Sequence, residues 1–132
     1  MMADIERLIR DNLSKDGQIL NLKAKFIREV GARELAKKEE LSSLRALDLS
    51  QNDIGDEGVK AIAESPVFSN LRQLNLKSNQ ITDQGAEYLA NSSILENLRS
   101  LQLVVNDLSE EGEKVLRNSP NLMSLTSLKF RV

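Results

Sequence analysis

The sequence predicts an α/β fold made of repeated strand–helix units, and three observations support this prediction. A period of 27 residues runs through most of the chain. Two columns of identical residues show it most clearly, as Asn52, Asn79, Asn106 and as Gly58, Gly85, Gly112. Within each copy the apolar spacing changes from alternation to helical spacing, which indicates a strand followed by a helix. Units of this kind bury a continuous core only by stacking on one another.

Each predicted strand lies just before a member of the Asn column. In Leu47-Asp48-Leu49 two apolar residues flank a polar one, which is typical of a short strand with one buried face. The leucines recur in register as Leu44, Leu47, Leu49, then Leu71, Leu74, Leu76, then Leu98, Leu101, Leu103. Because successive side chains of a strand point to opposite faces, the residues between the leucines are expected to form an exposed polar face.

Each predicted helix follows a member of the Gly column, which is expected to suit the turn into the helix. Val59, Ile62 and Ala63 give the stretch after Gly58 one apolar side. Negative charge is favourable at helix starts, and acids stand there at Asp56, Asp83 and Glu110. The expected N-caps and helix ends are Thr82, Ser109, Ser65-Pro66 and Ser119-Pro120.

The period divides the chain into one predicted domain, residues 1–132. Its predicted parts are a cap over residues 1–16, repeats over residues 17–43, 44–70, 71–97 and 98–124, and a partial fifth repeat over residues 125–132. The cap is predicted to be a helix over residues 3–13, because its apolar residues have helical spacing. The first repeat is degraded, and Lys25 stands where an Asn is expected. Because a Lys side chain has no acceptor, a ladder of Asn hydrogen bonds is expected to end there.

Three stretches carry a resemblance to a known family: LRALDLSQNDIGDEG, LRQLNLKSNQITDQG and LRSLQLVVNDLSEEG. The chain resembles leucine-rich repeat proteins of the ribonuclease-inhibitor-like class, over roughly residues 17–132. The resemblance implies a short horseshoe-shaped solenoid, with a parallel β-sheet on the concave face and α-helices on the convex face. It implies a function only weakly, because one fold serves many unrelated functions.

The composition excludes much chemistry. The 132 residues contain no His, Cys or Trp, so there is no disulfide, no thiolate nucleophile and no imidazole base or metal ligand. The net charge of -2 and the pI near 5.3 argue against a nucleic-acid binder. We therefore expect that the protein is not an enzyme and that it binds no cofactor and no metal. An acid–base site built from Asp, Glu and Lys is the alternative, but capping sufficiently explains the acids at the helix starts.

The candidate partner-binding residues lie on the predicted polar face and on the loops beside it. They are Asp48, Ser50, Gln73, Asn75, Lys77, Gln102, Val104, Val105, Lys129 and Arg131. Val104 and Val105 replace polar residues of the other copies, so they are either an apolar anchor for a partner or ordinary exposed apolar residues. The Asn and Gly columns are interpreted as structural.

Two further features have competing interpretations. Arg45, Arg72 and Arg99 form a column just ahead of the strands, and stacked arginines suit a phosphate or an acidic peptide. Solvated surface is the favoured interpretation, because acids such as Asp48 lie close in sequence. Phe26 occupies a column that is otherwise polar, and we expect it to be tucked under the N-terminal cap.

The function expected from these features is a non-catalytic protein–protein interaction module or small scaffold, acting through the concave face and adjacent loops. One alternative is a regulatory subunit of an enzyme, similar to an inhibitor or a GTPase-activating protein. Another is a structural unit that self-assembles through its C-terminal edge strand. We expect an unidentified protein partner, no nucleic acid and no membrane. A monomer is expected. A cytoplasmic location is expected because no signal peptide or membrane-spanning segment is apparent, and delivery elsewhere by a route that needs no such signal is the alternative.

Overall fold

The computed structural model describes residues 2–132; Met1, the first residue of the predicted cap, lies outside the described residues. Five short strands form one parallel sheet in chain order. They are β1 (Ile19–Asn21), β2 (Ala46–Asp48), β3 (Gln73–Asn75), β4 (Ser100–Gln102) and β5 (Ser127–Lys129). Paired residues of neighbouring strands are 27 apart, as Leu47 and Leu74 are. The register therefore follows the sequence period, and the predicted α/β leucine-rich repeat solenoid is confirmed.

A helix precedes β1, and one helix follows each of β1 to β4. The helices are α1 (Ile5–Asn12), α2 (Arg28–Leu35), α3 (Gly55–Glu64), α4 (Asp83–Ala90) and α5 (Glu110–Arg117). Short 3-10 turns at Glu39–Leu41, Pro66–Phe68 and Leu95–Asn97 lead from α2, α3 and α4 toward the following strands. These turns were not predicted, because a single turn is too short to show a period. Each carries a fully buried side chain, at Leu41, Phe68 and Leu95.

The core fills the space between the sheet and the helices. The leucines in and beside β1 to β4 are buried, and so are Val59, Ile62 and Ala63 of α3, whereas Leu125 and Leu128 at β5 are half-buried. When the crossover helices cover one face of a parallel sheet, the apolar face of the sheet and the apolar sides of the helices are both removed from water. The result is a single continuous cluster of apolar side chains from Ile5 to Leu122.

The Gly column lies inside the helices, so the expectation that it forms the turns is wrong. Gly58, Gly85 and Gly112 have helical backbones, and it is Gly55, the first residue of α3, that has a φ of +70°. The column instead permits close packing. A Cβ atom on Gly85 would lie 2.5 Å from Oδ1 of Asp56, which is nearer than real Cβ atoms come to other atoms.

Asn side chains join successive repeats at the ends of the strands. The side-chain oxygen Oδ1 of Asn79 accepts from the backbone N–H groups of Asn52 and Ile54, both at 3.1 Å. Its amide nitrogen donates to the carbonyl of Leu49 at 2.9 Å. Asn52 and Asn106 make the corresponding bonds, and those of Asn52 end on the backbone of Lys25 and Ile27. Each Asn thus satisfies the buried backbone of the repeat before it.

Acidic side chains make a second set of bonds between repeats, at the helix starts. The Asp56 carboxylate accepts from the backbone and the hydroxyl of Thr82, at 2.8 and 2.5 Å. Asp83 binds Ser109 in the same way. Thr82 is the predicted N-cap of α4, and its hydroxyl accepts from Gln84. Ser109 is the N-cap residue of α5, as predicted, but its hydroxyl makes no bond to the first turn of that helix.

Serines make a third set, at the helix ends. The hydroxyls of Ser65, Ser92 and Ser119 donate to the carbonyls of Ala36, Ala63 and Ala90, at 2.5 to 2.6 Å. Each of these carbonyls lies at or near the end of the preceding helix. Such terminal carbonyls lack a partner within their own helix. As predicted, Ser65 marks the end of α3, whereas α5 ends two residues before Ser119.

The two ends of the stack are covered differently. At the first strand, α1 buries Ile5 and Ile9, and Leu13 forms a bridge with Leu20. At the other end, β5 pairs with β4 only, within residues 2–132. There the buried carboxylate of Glu113 binds Arg117 at 3.2 Å and Arg131 at 2.5 Å.

Replacing Asn79 with Ala is expected to destabilise the fold strongly. Loss of the amide leaves the N–H groups of Asn52 and Ile54 buried without partners, which costs about 3 kcal/mol in the free energy of unfolding. Urea unfolding followed by far-UV circular dichroism measures this loss. Asn70→Ala is the control, because exposed Asn70 makes one bond to Ser42 and should cost about 1 kcal/mol. If both variants lost the same free energy of unfolding, the buried Asn bonds would contribute no more to stability than one exposed bond.

Acid is expected to weaken the contact between Asp83 and Ser109. The hydroxyl and the backbone N–H of Ser109 hold the pKa of Asp83 below its usual value of 3.8. A carboxylate with a lowered pKa in the folded state stabilises the fold above the unfolded-state value, and this contribution disappears as the pH falls through the folded-state value. The stability difference between wild type and Asp83→Asn should therefore be largest at neutral pH and should shrink below about pH 4.

Asp107→Asn is the matched control for this pH series. Within the described residues the Asp107 carboxylate accepts no hydrogen bond, so its stability difference from wild type should be small throughout. Urea midpoints at successive pH values provide the comparison. A constant difference for Asp83→Asn across the series would exclude the proposed linkage.

Candidate interaction surface

The first row of the concave face lies in register across all five strands. Its members are Ile19, Ala46, Gln73, Ser100 and Ser127. Gln73 is exposed, and its side chain makes no hydrogen bond within the described residues. Ile19 has an exposed fraction of 54%, and it is an apolar residue that the candidate set did not include. An isoleucine in a column of small and polar residues was the available signal.

The second row comprises Asn21, Asp48, Asn75, Gln102 and Lys129. Several of its side chains bind their own backbone. The Asp48 carboxylate accepts from the N–H of Ser50 at 2.9 Å, and Asn75 accepts from Lys77 at 3.0 Å. Gln102 makes a longer bond to Val104 at 3.3 Å. These acceptors stabilise the strand ends, so Asp48, Asn75 and Gln102 offer a partner only what remains of their hydrogen-bonding capacity.

The third row comprises Lys23, Ser50, Lys77, Val104 and Arg131, and two of its members differ from their prediction. Ser50 and Val104 were expected to be exposed, but their exposed fractions are 2% and 5%. The strands end at Asp48 and Gln102, so simple alternation no longer applies at these two positions. The Ser50 hydroxyl donates to Asp48 at 2.6 Å. Ser50 and Val104 therefore pack inside the loop, and Lys77 is the half-buried member between them.

Val105 is the apolar residue that the loop exposes. Its exposed fraction is 62%, and its φ of +59° lies in the left-handed region. Gln51 and Ser78 occupy the same position in earlier repeats and have the same backbone conformation. A β-branched residue is rare in this region, because its side chain crowds the backbone. Strained residues of this kind concentrate at functional sites.

Arg131 and Phe26 lie near the two ends of the stack. Arg131, a candidate contact, is bound by Glu113, so its charge is already paired. Phe26 was expected under the cap, but its exposed fraction is 66% and its φ is +57°. The left-handed loop turns the ring outward, beside Met2 and Val30.

The predicted residues fall into two groups. Gln73, Lys77, Val105 and Lys129 lie on or beside the concave face, where a groove of about 360 Å³ crosses β1 to β4. The column of Arg45, Arg72 and Arg99 lies at the opposite ends of the strands, away from the Asn ladder. Within residues 2–132, no three Asp or Glu side chains are grouped so as to hold a metal ion. Over the same residues, no helix is long and apolar enough to cross a membrane.

Comparison with protein families gives a match. A family model described as "Leucine Rich repeat" matches residues 40–63 and 69–90. These segments cover most of the second and third predicted repeats. No curated protein matches the chain.

Replacing Val105 with Asn is expected to stabilise the protein. Asn tolerates the left-handed region, and little buried apolar area is lost at an exposed site. The free energy of unfolding should rise by about 1 kcal/mol. Urea unfolding measures the change, and Ser78→Asn is the control because Ser78 has the same φ without β-branching. A lower stability for Val105→Asn would show that the valine side chain contributes more to packing than its strain costs.

Proposed function

Because the chain is a leucine-rich repeat protein, we propose that it is a non-catalytic module that binds a protein partner through its concave face and the adjacent loops. Leucine-rich repeat domains generally mediate protein–protein interaction. We also infer a place in the ribonuclease-inhibitor-like class, which the α-helices of eight to ten residues on the convex face favour.

One observation carries the proposal. The sheet buries one face under α2 to α5, whereas no element of the described chain covers the other face. On that open face, the side chains of Gln73, Ser127 and Lys129 make no hydrogen bond within the described residues. Polar groups held on a rigid sheet without internal partners are available to a ligand at little cost in ordering.

The size of the face favours a partner that also contacts the loops. Five strands about 4.8 Å apart, with roughly 10 Å of exposed width, give a patch of about 200 Å². A standard interface buries about 800 Å² on each partner. The loop that carries Val105 adjoins the same face and supplies the apolar contact that interface centres favour. We therefore propose that the contact extends from Gln73 and Lys77 on the concave face to Val105 on the loop.

Catalysis has no comparable support. The carboxylates of Asp56 and Asp83 are the acids of the helix-start column that form bonds between repeats, and those bonds occupy them. A role as a regulatory subunit of an enzyme is compatible with the same surface, but no observation favours it over another protein partner.

Self-assembly through β5 is the less favoured proposal. The edge strand carries exposed Lys129, and charged residues of this kind discourage pairing between edges. We propose a monomer. Sedimentation velocity over a range of concentrations tests this, and a concentration-dependent dimer would support edge pairing instead.

Charge changes on the concave face are expected to weaken partner binding. Partners captured by crosslinking in cells would be identified and then titrated against purified protein. The triple variant Gln73→Glu, Lys77→Glu, Lys129→Glu should bind at least about tenfold more weakly than wild type, since three surface positions of the contact become acidic. Isothermal titration calorimetry gives the affinities.

The matched control makes the same changes on the other side of the molecule. It is the triple variant Gln84→Glu, Lys37→Glu, Lys114→Glu, whose positions are exposed on or beside helices. It has the same net charge as the concave-face variant and should bind like wild type. If the two triple variants lost equal affinity, the concave face would be excluded as the contact.

A further inference from the structure

A row of three arginines at the N-terminal ends of the strands has no partner in the fold. Arg45, Arg72 and Arg99, here called the arginine ledge, each immediately precede a strand. Within residues 2–132, none of the three guanidinium groups lies within 4.0 Å of a carboxylate or donates a side-chain hydrogen bond. Arg45 and Arg99 are exposed, and Arg72 between them is half-buried.

The backbone holds the ledge rigidly. The N–H groups of Arg72 and Gln73 both donate to the carbonyl of Arg45, at 2.8 and 2.9 Å. Arg99 and Ser100 donate to Arg72 in the same way. Neighbouring arginines are therefore about 4.8 Å apart along the sheet, and the ledge spans about 10 Å.

The charges of the ledge repel one another. The nearby guanidinium groups of Arg45 and Arg99 lower the pKa of Arg72 from its usual value. Asp16 lies near Arg45 at one end, and the charge of Arg45 adds to the larger effect of Ser14 and Gln18 in lowering the pKa of Asp16. Within the described residues, no carboxylate lies within 4.0 Å of the guanidinium groups of Arg72 and Arg99. A bound anion would relieve this repulsion.

The ledge borders a groove of about 350 Å³ with neutral polar walls. The walls comprise Gln18, Ser43, Asn70, Asn97 and Ser124. Asn70 and Asn97 donate to the carbonyls of Ser42 and Ser69, at 2.9 and 3.0 Å, so the walls are joined between repeats. A groove that combines fixed cations with neutral polar walls suits a ligand with negative charges on one side.

We propose that the arginine ledge binds an extended acidic segment of a partner protein, with Asp or Glu at every second position. Alternate side chains of an extended chain lie on one side about 6.7 Å apart, so two such carboxylates fit within the ledge. Arginine binds carboxylates through two parallel hydrogen bonds, which a point charge cannot match. The ledge adjoins the first row of the concave face, since Arg72 and Gln73 line a common groove, but binding at the ledge does not depend on the concave-face contact.

Nucleic acid fits the ledge less well. Proteins that bind single strands stack bases on aromatic side chains, and the groove lining contains no aromatic residue. The protein as a whole carries a net charge of -2, which repels a long polyanion. A short acidic peptide engages only the local positive charge.

Binding of a defined peptide tests the proposal. A fluorescein-labelled peptide in which Glu alternates with Ser should bind in fluorescence anisotropy, whereas the same peptide with Gln in place of Glu should not. Arg72→Glu should weaken binding by at least about tenfold, and Arg72→Lys by about threefold because the charge stays and the two-pronged geometry is lost. Raising the salt from about 50 mM to about 300 mM should weaken binding by wild type.

Matched variants separate the ledge from overall charge and from folding defects. Arg10→Glu makes the same charge change at an exposed position on α1 and should bind the Glu peptide like wild type. Arg99→Glu serves as a second ledge variant if Arg72→Glu lowers the melting temperature, and it should also weaken binding. Failure of the concave-face variants to affect a protein partner would leave these expectations unchanged.

Three results would overturn the proposal. The first is equal binding of the Glu and Gln peptides, and the second is an equal loss of affinity in Arg10→Glu. The third is tighter binding of oligothymidylate, or of vesicles containing a phosphoinositide, with the same dependence on Arg72. That last result would assign the ledge to nucleic acid or to a lipid headgroup instead.

Discussion

The buried asparagine at the end of each strand is the interaction on which the rest of the structure depends. A loop that turns from a strand into a helix leaves backbone N–H and C=O groups in the interior, and these groups need partners. Asn79 satisfies groups in its own repeat and in the repeat before it. An amide can do this because it carries both a donor and an acceptor on one short side chain. The same bonds hold neighbouring repeats in register, so the stack and its turns are stabilised together.

The other ladders follow from that stacking. Once the Asn bonds set the distance between repeats, the helices are close enough for Asp56 to reach Thr82 and for Ser92 to reach Ala63. The same closeness leaves no room for a Cβ atom on Gly85. The glycine column is therefore a consequence of helix spacing, although its regularity alone suggested a turn. The two contacts proposed above use the groups that these ladders leave free, which are the open polar face of the sheet and the arginines at the N-terminal ends of the strands.

Much of the fold could be predicted because its determinants are local and repeated. Alternation at Leu47 and Leu49 defined a strand, and the period placed Leu74 beside Leu47. The surface was less predictable at the points where a strand stops. Alternation predicted that Ser50 and Val104 face outward, yet both are buried because the chain has already turned into the loop. Phe26 shows the reverse error, since a left-handed backbone turns an apolar ring into solvent.

By itself, the sequence determined the period, the strand register, the leucine core and the column of asparagines. These depend on spacing along the chain, and spacing can be read without coordinates. Only the tertiary structure decided which charges are paired. Glu113 binds Arg131 from 18 residues away, whereas Arg72 stands beside two like charges with no acid near it. Pairing depends on distances between side chains of different repeats, and residue spacing alone does not specify those distances.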